Sequence, residues 1–390
     1  HGSKLPYQIN NNLRKFADSI PDFRRTNKGN IKHKLSDAVL LIIMARLCRN
    51  VHRPAIIAFG RRHLDLFRSM GMLVRGVPSE PTLCRIEKGI DDEVMAFQMA
   101  LFTSKFAIKD DGETLDIVAV DGKCLCGTVQ TDGRHPDVVS AYSVNSNQTL
   151  ATEMCDEKSN EIRAVPLLID KLNIARGIIT ADAMSCQKDI IDKIRERHLD
   201  FLIEVKANQK ALRWGIEDRL KTALPLDCHQ QEPTLEHGRI EHRVCTTYNG
   251  CDVIADMSKW GYELTVVVID THTTKKSDGK ETSERRIYIT NLRKSAKKLD
   301  SISRSHWRIE TFHWHLDYNF KQDSVKRSST RAARNTDTLM RMGLSIISAY
   351  QSKHNTDKHK GNNRRTFKCA QLMDKMSCDF MKLMRVLQLN

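Results

Sequence analysis

No window of the 390 residues approaches 18 uninterrupted apolar positions, and the longest apolar stretches, such as Val39 to Ala45, are too short to span a bilayer. The expectation is a soluble chain with no membrane partner. No CxxC pair occurs among the 11 cysteines, which are scattered at 48, 84, 124, 126, 155, 186, 228, 245, 251, 369 and 378. An odd, dispersed set in a long chain excludes a small disulfide scaffold and favours reduced thiols in a cytosol. The N-terminus has no charged-then-apolar leader, and His1-Gly2-Ser3 reads as an expression remnant. No internal repeat is visible.

What is present is a chain with 40% hydrophobic and 28% charged residues, long enough for two or three domains with real cores. Lys and Arg number 63 against 48 Asp and Glu, a formal net charge of +15. That balance points to an anionic partner without saying which polyanion.

From Leu35, apolar residues recur at helical spacing (Leu35, Val39, Leu40, Ile43, Leu47), and further helical patterns run over about 54 to 70 and 80 to 105, punctuated by Pro54, Pro78 and Pro81. Residues 1–105 therefore read as an all-helical domain. After Asp110-Asp111-Gly112 the texture changes. The apolar run 117–120 suits a buried strand and ends at Asp121-Gly122; β-rich stretches follow at 138–144 and 149–154. A helix opened by a Ser159 cap comes next, then a strand at 177–181 ending at Asp182, a helix over 186–197 and a strand at 201–205.

That order predicts an α/β fold, a mixed sheet flanked by helices. Residues 237–290 are β-rich where the pattern calls for a helix, and are expected to form a separate subdomain within an insertion at about 211–292. One helical face continues from Leu299 to Phe320, and another helix covers 336–351. The stretch Ser352 to Arg365 is polar, basic and aperiodic, which predicts mobility, and an amphipathic helix follows from Phe367 to Leu387. The expected division is 1–105, 106–350 and 351–390, the last a basic linker and helix.

Asp121 and Asp182 each stand at the carboxyl end of a predicted buried strand, where α/β sheets build their sites. Both also suit humbler roles, since Asp before Gly is a turn residue and Asp182 can cap the next helix. Glu310 lies in the helical segment His306-Trp307-Arg308-Ile309-Glu310. Three carboxylates of this kind could hold two Mg²⁺, with Mn²⁺ as a substitute, for chemistry at phosphorus. A solvated helix face is the other reading of Glu310. His306, His313 and His315 lack zinc-ligand partners at suitable spacing.

The segments Val120-Asp121-Gly122-Lys123, Thr180-Ala181-Asp182-Ala183-Met184-Ser185-Cys186-Gln187, Val205-Lys206-Ala207-Asn208-Gln209 and His306-Trp307-Arg308-Ile309-Glu310, with His313-Trp314-His315-Leu316-Asp317, occur in order. Together they resemble the successive motifs of the H-repeat-associated (ISAs type) insertion-sequence transposases, a branch of the DDE transposases. Pro21-Asp22-Phe23-Arg24, Leu35-Ser36-Asp37, Phe59-Gly60 and Val77-Pro78-Ser79 are similar to that family's helical leader domain. The resemblance covers most of residues 15 to 350. It implies a ribonuclease H-like core, with Asp121, Asp182 and Glu310 as the catalytic, metal-binding triad, and it makes 1–105 a candidate DNA-binding domain. Two departures stand out: Cys124-Leu125-Cys126-Gly127 replaces an expected Thr-Leu-Arg-Gly, removing a basic residue at 126, and Thr311 follows Glu310 where Asn is usual.

Lys123 and Lys206 follow their strands closely and are candidate phosphate contacts; Arg304 and Arg308 lie shortly before Glu310, where the helix bearing the third acid could also grip DNA. Trp307 and Trp314, seven apart, are expected on one helical face, either packed in a core or stacking on a displaced base. Residues 321 to 368 hold twelve Lys or Arg against three Asp, +9 of the total +15. Lys326, Arg327, Arg331 and Arg334 are accordingly expected along a DNA backbone.

The resulting expectation is a cytoplasmic DNA transposase, nucleoid-associated when bound, that hydrolyses transposon ends and transfers the 3′-OH into target DNA with two metal ions, as a homodimer or higher assembly on DNA. A ribonuclease H-like nuclease without strand transfer and a domesticated DNA-binding protein are the alternatives.

Overall fold

The computed structural model describes residues 9–25, 29, 31–107, 115–155, 161–236, 238–355 and 367–388. The His1-Gly2-Ser3 start, the Asp110-Asp111-Gly112 transition, the Ser159 cap and the part of the basic stretch beyond residue 355 lie outside them. The strands, in chain order, are β1 (Ile117–Cys124), β2 (Asp137–Ser143), β3 (Gln148–Met154), β4 (Ile178–Ala181), β5 (Asp200–Val205), β6 (Asp227–Glu236), β7 (Arg239–Asn249), β8 (Thr265–Lys275) and β9 (Glu281–Thr290). The chain divides into two compact units. The first gathers residues 1–108, 122–158 and 310–390, the second 109–121 and 159–309.

The first unit is built around helix Leu35–Leu47, in which every residue is buried, Ser36, Asp37 and Arg46 included. A helix apolar on nearly all sides needs cover on all sides. Helix Thr330–His354, itself largely buried, supplies part of that cover and also packs against helices Glu80–Gly89 and Asp92–Thr103. The N-terminal helices thus share one core with residues far along the chain. Strands β2 and β3 form an antiparallel hairpin in this unit. The expected C-terminal helix is two, Cys369–Cys378 and Phe380–Leu387, because Asp379 is extended (φ −137°, ψ 105°) and caps the second through the Met381 N–H at 2.8 Å.

In the second unit the strands run in the order β1-β4-β5-β9-β8-β7-β6. β1, β4 and β5 are parallel, and β9 joins β5 antiparallel with Ile203 opposite Ile289. β4 is buried throughout, and β1 and β5 carry buried apolar runs at Val118–Val120 and Phe201–Ile203, as strands covered on both faces must. The expectation of a separate β-rich subdomain at 237–290 is therefore corrected. These strands complete the same sheet through the β5–β9 ladder, so their apolar positions meet the core of the parallel strands. Ile178, Leu202, Cys245, Val267, Ile269 and Tyr288 form one buried cluster with Leu299 and Ile302 of helix Ala296–His306.

That helix is pinned at both ends. The Ala296 N–H donates to Asp227 Oδ2 at 2.7 Å, and buried Arg243 donates to Asp300 at 2.5 Å and to Ser303 Oγ at 2.7 Å. The single helix expected from Leu299 to Phe320 is broken at Trp307 into Ala296–His306 and Arg308–Tyr318. There the Trp307 N–H bonds Arg304 O, three residues back, tightening the turn, and the Arg286 guanidinium lies 4.3 Å over the indole. The break removes the single helical face on which Trp307 and Trp314 were expected to share a stripe. Among the described residues no helix is long and apolar enough to cross a membrane.

Candidate active site

β1 and β4 pair in parallel with Val120 opposite Ala181, so the next step of the register puts Asp121 level with Asp182. Neighbouring strands lie about 4.8 Å apart. Alternation sets both side chains on the face that carries Thr180 and Leu202 and is covered by helix Ala296–His306. Asp182 also caps the short turn Ala183–Ser185, accepting from the Met184 N–H at 3.1 Å. The capping residue is thus also the one expected at the site. Asn208 donates to Ala183 O at 2.5 Å and Gln209 to Cys186 O at 2.8 Å, so the loop after β5 holds the loop that follows Asp182.

Burial pushes the Asp182 carboxyl above its ordinary value, and the nearby Asp121 carboxylate pushes it further; the Met184 and Ser185 N–H groups and His306 oppose. His306 shares a 3.1 Å hydrogen bond with Thr180 Oγ1. Burial holds its imidazole below the ordinary value against the pull of Asp121 and Asp182.

Glu204 was not singled out by the sequence. Thr180 pairs with Leu202, which places Glu204 level with Asp182 on β5 and on the same face. It is 6% exposed; one carboxylate oxygen meets Lys206 Nζ at 3.0 Å and the other has no hydrogen-bond partner. A lone acid in the otherwise apolar run Phe201–Val205 is the signal that would have found it.

Hard carboxylate oxygens held side by side suit a divalent cation, which would relieve the repulsion that raises Asp182. Among the described residues no three His, Cys, Asp or Glu side chains gather as a metal-holding set. The second unit sets Asp121 and Asp182 level on one face, with Glu204 beside them tied to Lys206. Glu310 is the first residue of the last segment of the first unit; it is exposed, in the first turn of helix Arg308–Tyr318.

The expected basic residues separate into classes. Lys206 is half-exposed, held by Glu204; Arg304 pairs with Glu241; Arg308 and Lys326 are exposed. Arg331 is half-exposed and sits 3.3 Å from Asp92. Three expectations need correction. Arg327 is buried, 2.9 Å from Glu87; Arg334 is 2% exposed, bonded to Asp92 and Glu93; Lys123 is buried with its ammonium 2.7 Å from both Asp317 oxygens. Their charges are matched by internal carboxylates, which a local charge count cannot see.

Residues 116–346 match the family described as transposase DDE domain, and residues 14–102 match one described as DDE_Tnp_1-associated. "Putative transposase YncI" of Escherichia coli O157:H7 is 30% identical over 342 residues, covering 85% of this chain and 86% of the relative. "H repeat-associated putative transposase YhhI" of Escherichia coli (strain K12) is 31% identical over 341 residues, 84% and 88% of the two chains. "Inactive transposase YbfQ" of the same strain is 35% identical over 77 residues, 19% of this chain and 89% of the relative. With two acids side by side on a mixed α/β sheet of the ribonuclease H-like class, and with the family match spanning that sheet, the chain belongs to the DDE transposase family.

Proposed function

We propose that the protein is a DNA transposase that cuts at the ends of its element and joins the freed 3′-OH to target DNA. The observation that carries the reading is the Asp121 and Asp182 pair, level on adjacent parallel strands in a DDE-family chain. Asp121 and Asp182, with Glu310 as the third acid, are the residues that would hold Mg²⁺ or Mn²⁺, two ions per site. When bound, such ions lower the pKa of an attacking water and stabilise charge on the leaving oxygen. The turn Ala183–Ser185 holds Asp182 through the Met184 N–H, Thr180 holds His306 beside it, and Asn208 and Gln209 brace that turn. Lys206, exposed at the end of β5 and paired with Glu204, would meet a phosphate. The working assembly is a homodimer or larger on DNA, acting at the nucleoid in the cytoplasm.

The test uses duplexes carrying the element's terminal sequence with a labelled 3′ end. Wild type with Mg²⁺ is expected to yield cut ends and strand-transfer products. Asp121→Asn, Asp182→Asn and Glu310→Gln are expected to yield neither while retaining DNA binding. Cuts without joined products would make the protein a nuclease, and binding without either product would make it a DNA-binding protein that has lost the chemistry.

A further inference from the structure

Helix Ala296–His306 packs on the face of β6 that carries His229 and Gln231, and between them lies a groove of about 500 Å³ lined by His229, Gln231, Lys297, Ser301, Arg304 and Arg308, with Asp300 and Ser305 completing it. On the helix, Lys297, Ser301 and Arg304 recur at three- and four-residue steps and form one stripe, and Arg308, just past the break at Trp307, lies in the same lining. The groove collects donors. Lys297 is exposed, with no ion pair among the described residues, and Arg304 Nε is buried without a hydrogen-bond partner. The Gln231 side-chain oxygen is likewise unpartnered. The one carboxylate in the lining, Asp300, is paired with Arg243 at 2.5 Å. Glu241 beside it is paired with Arg304 through Nη2, which leaves Nε open.

A groove whose cations and hydroxyl outnumber its uncommitted acids fits a phosphodiester backbone, since phosphate oxygens accept from Arg, Lys, Ser and Gln alike. The same helix ends at His306, beside Asp182. We infer that this groove between β6 and helix Ala296–His306 binds one strand of the duplex DNA backbone and leads it along the helix toward the acid pair. The inference rests on the transposase reading and adds to it Lys297 and Ser301 on the helix and Gln231 on β6 as backbone-binding residues.

Fluorescence anisotropy with the full chain tests it, using one duplex of the terminal sequence and one unrelated duplex over a range of salt. Lys297→Glu with Ser301→Asp is expected to weaken binding to both duplexes by about tenfold or more and to lower the salt slope by about 0.9 for each phosphate that is no longer neutralised. Lys259→Glu, a similarly exposed lysine outside the groove, is expected to change neither. Circular dichroism and the milder Lys297→Gln guard against misfolding, the latter losing slope with the fold intact. A folded double variant with unchanged affinity and slope would overturn the groove, as would a loss confined to the terminal sequence. Wild type that binds no duplex at all would instead overturn the transposase reading.

Discussion

Arg327 donates through Nη2 to Glu87 Oε1 at 2.9 Å, and both side chains are out of reach of solvent. Glu87 is the hub of a larger knot, with Arg53 at 2.7 Å and Arg46 at 3.4 Å. One carboxylate thus serves three guanidiniums contributed by three separate parts of the first unit. Removing its charge would strand cations that cannot be rehydrated, and breaking a buried pair from one side costs about 3–5 kcal/mol. Glu87→Gln is therefore expected to lower the unfolding free energy obtained from urea denaturation by an amount in that range, whereas Arg331→Ala, half-exposed, should stay within about 0.5 kcal/mol of wild type. Equal stability of Glu87→Gln and wild type would refute the assignment of a structural role to this cluster.

The same burial separates two kinds of base in the segment after helix Arg308–Tyr318. Lys326→Gln is expected to reduce the salt dependence of DNA binding with stability unchanged, because its side chain is exposed. Arg334→Gln is expected to lower the melting temperature, and any loss of binding should track the unfolded fraction, since Arg334 is spent on Asp92 and Glu93. Parallel denaturation and anisotropy titrations decide the matter: a fully folded Arg334→Gln with a lowered salt slope would return that residue to the DNA surface.

Much of this arrangement is legible in the sequence, and the part that is not has a common cause. Asp121 and Asp182 could be found because an apolar run that stops at an acid marks a strand end, a purely local signal. The pairing of β5 with β9 spans more than 80 residues of chain and leaves no local mark, so β-rich residues 237–290 look independent when they are not. Arg327 and Arg334 meet acids about 240 residues upstream. Counting charge along 321–368 treats as free what the fold has already paired. The break at Trp307 is similarly hidden, having neither Pro nor Gly; it depends on a turn closed onto Arg304 and a ring under Arg286.

Lys123 gives a further prediction. Its ammonium is buried 2.7 Å from both oxygens of Asp317. An unpaired buried ammonium costs about 1–3 kcal/mol or more. Asp317→Asn is expected to destabilise by about that amount. Lys123→Met combined with Asp317→Leu should recover part of the loss, because removing both partners leaves no charge uncompensated. A double variant no more stable than the Asp317→Asn single variant would count against the pair as the source of the effect.

The last prediction concerns the acid pair and pH. Burial and the Asp121 carboxylate raise the Asp182 pKa in the folded protein above its unfolded value. The folded state then holds the proton more tightly than the unfolded one, so this group's contribution to stability is largest at low pH. It is lost as pH rises from the ordinary carboxylate range near ~4 through the raised folded value. A divalent cation bound to the pair reverses the sign, because it favours the charged form. The melting temperature with Mg²⁺ minus that without it should therefore be small at pH 4 and larger at pH 8. Asp182→Asn removes both the repulsion and a ligand, so it should melt higher than wild type at pH 8 without Mg²⁺ and show little further rise when Mg²⁺ is added. Thermal scans of the two proteins at both pH values, with Na⁺ at matched ionic strength as the control, test the assignment; an Mg²⁺ shift in Asp182→Asn equal to that of wild type would show that the cation stabilises the protein somewhere other than at Asp121 and Asp182.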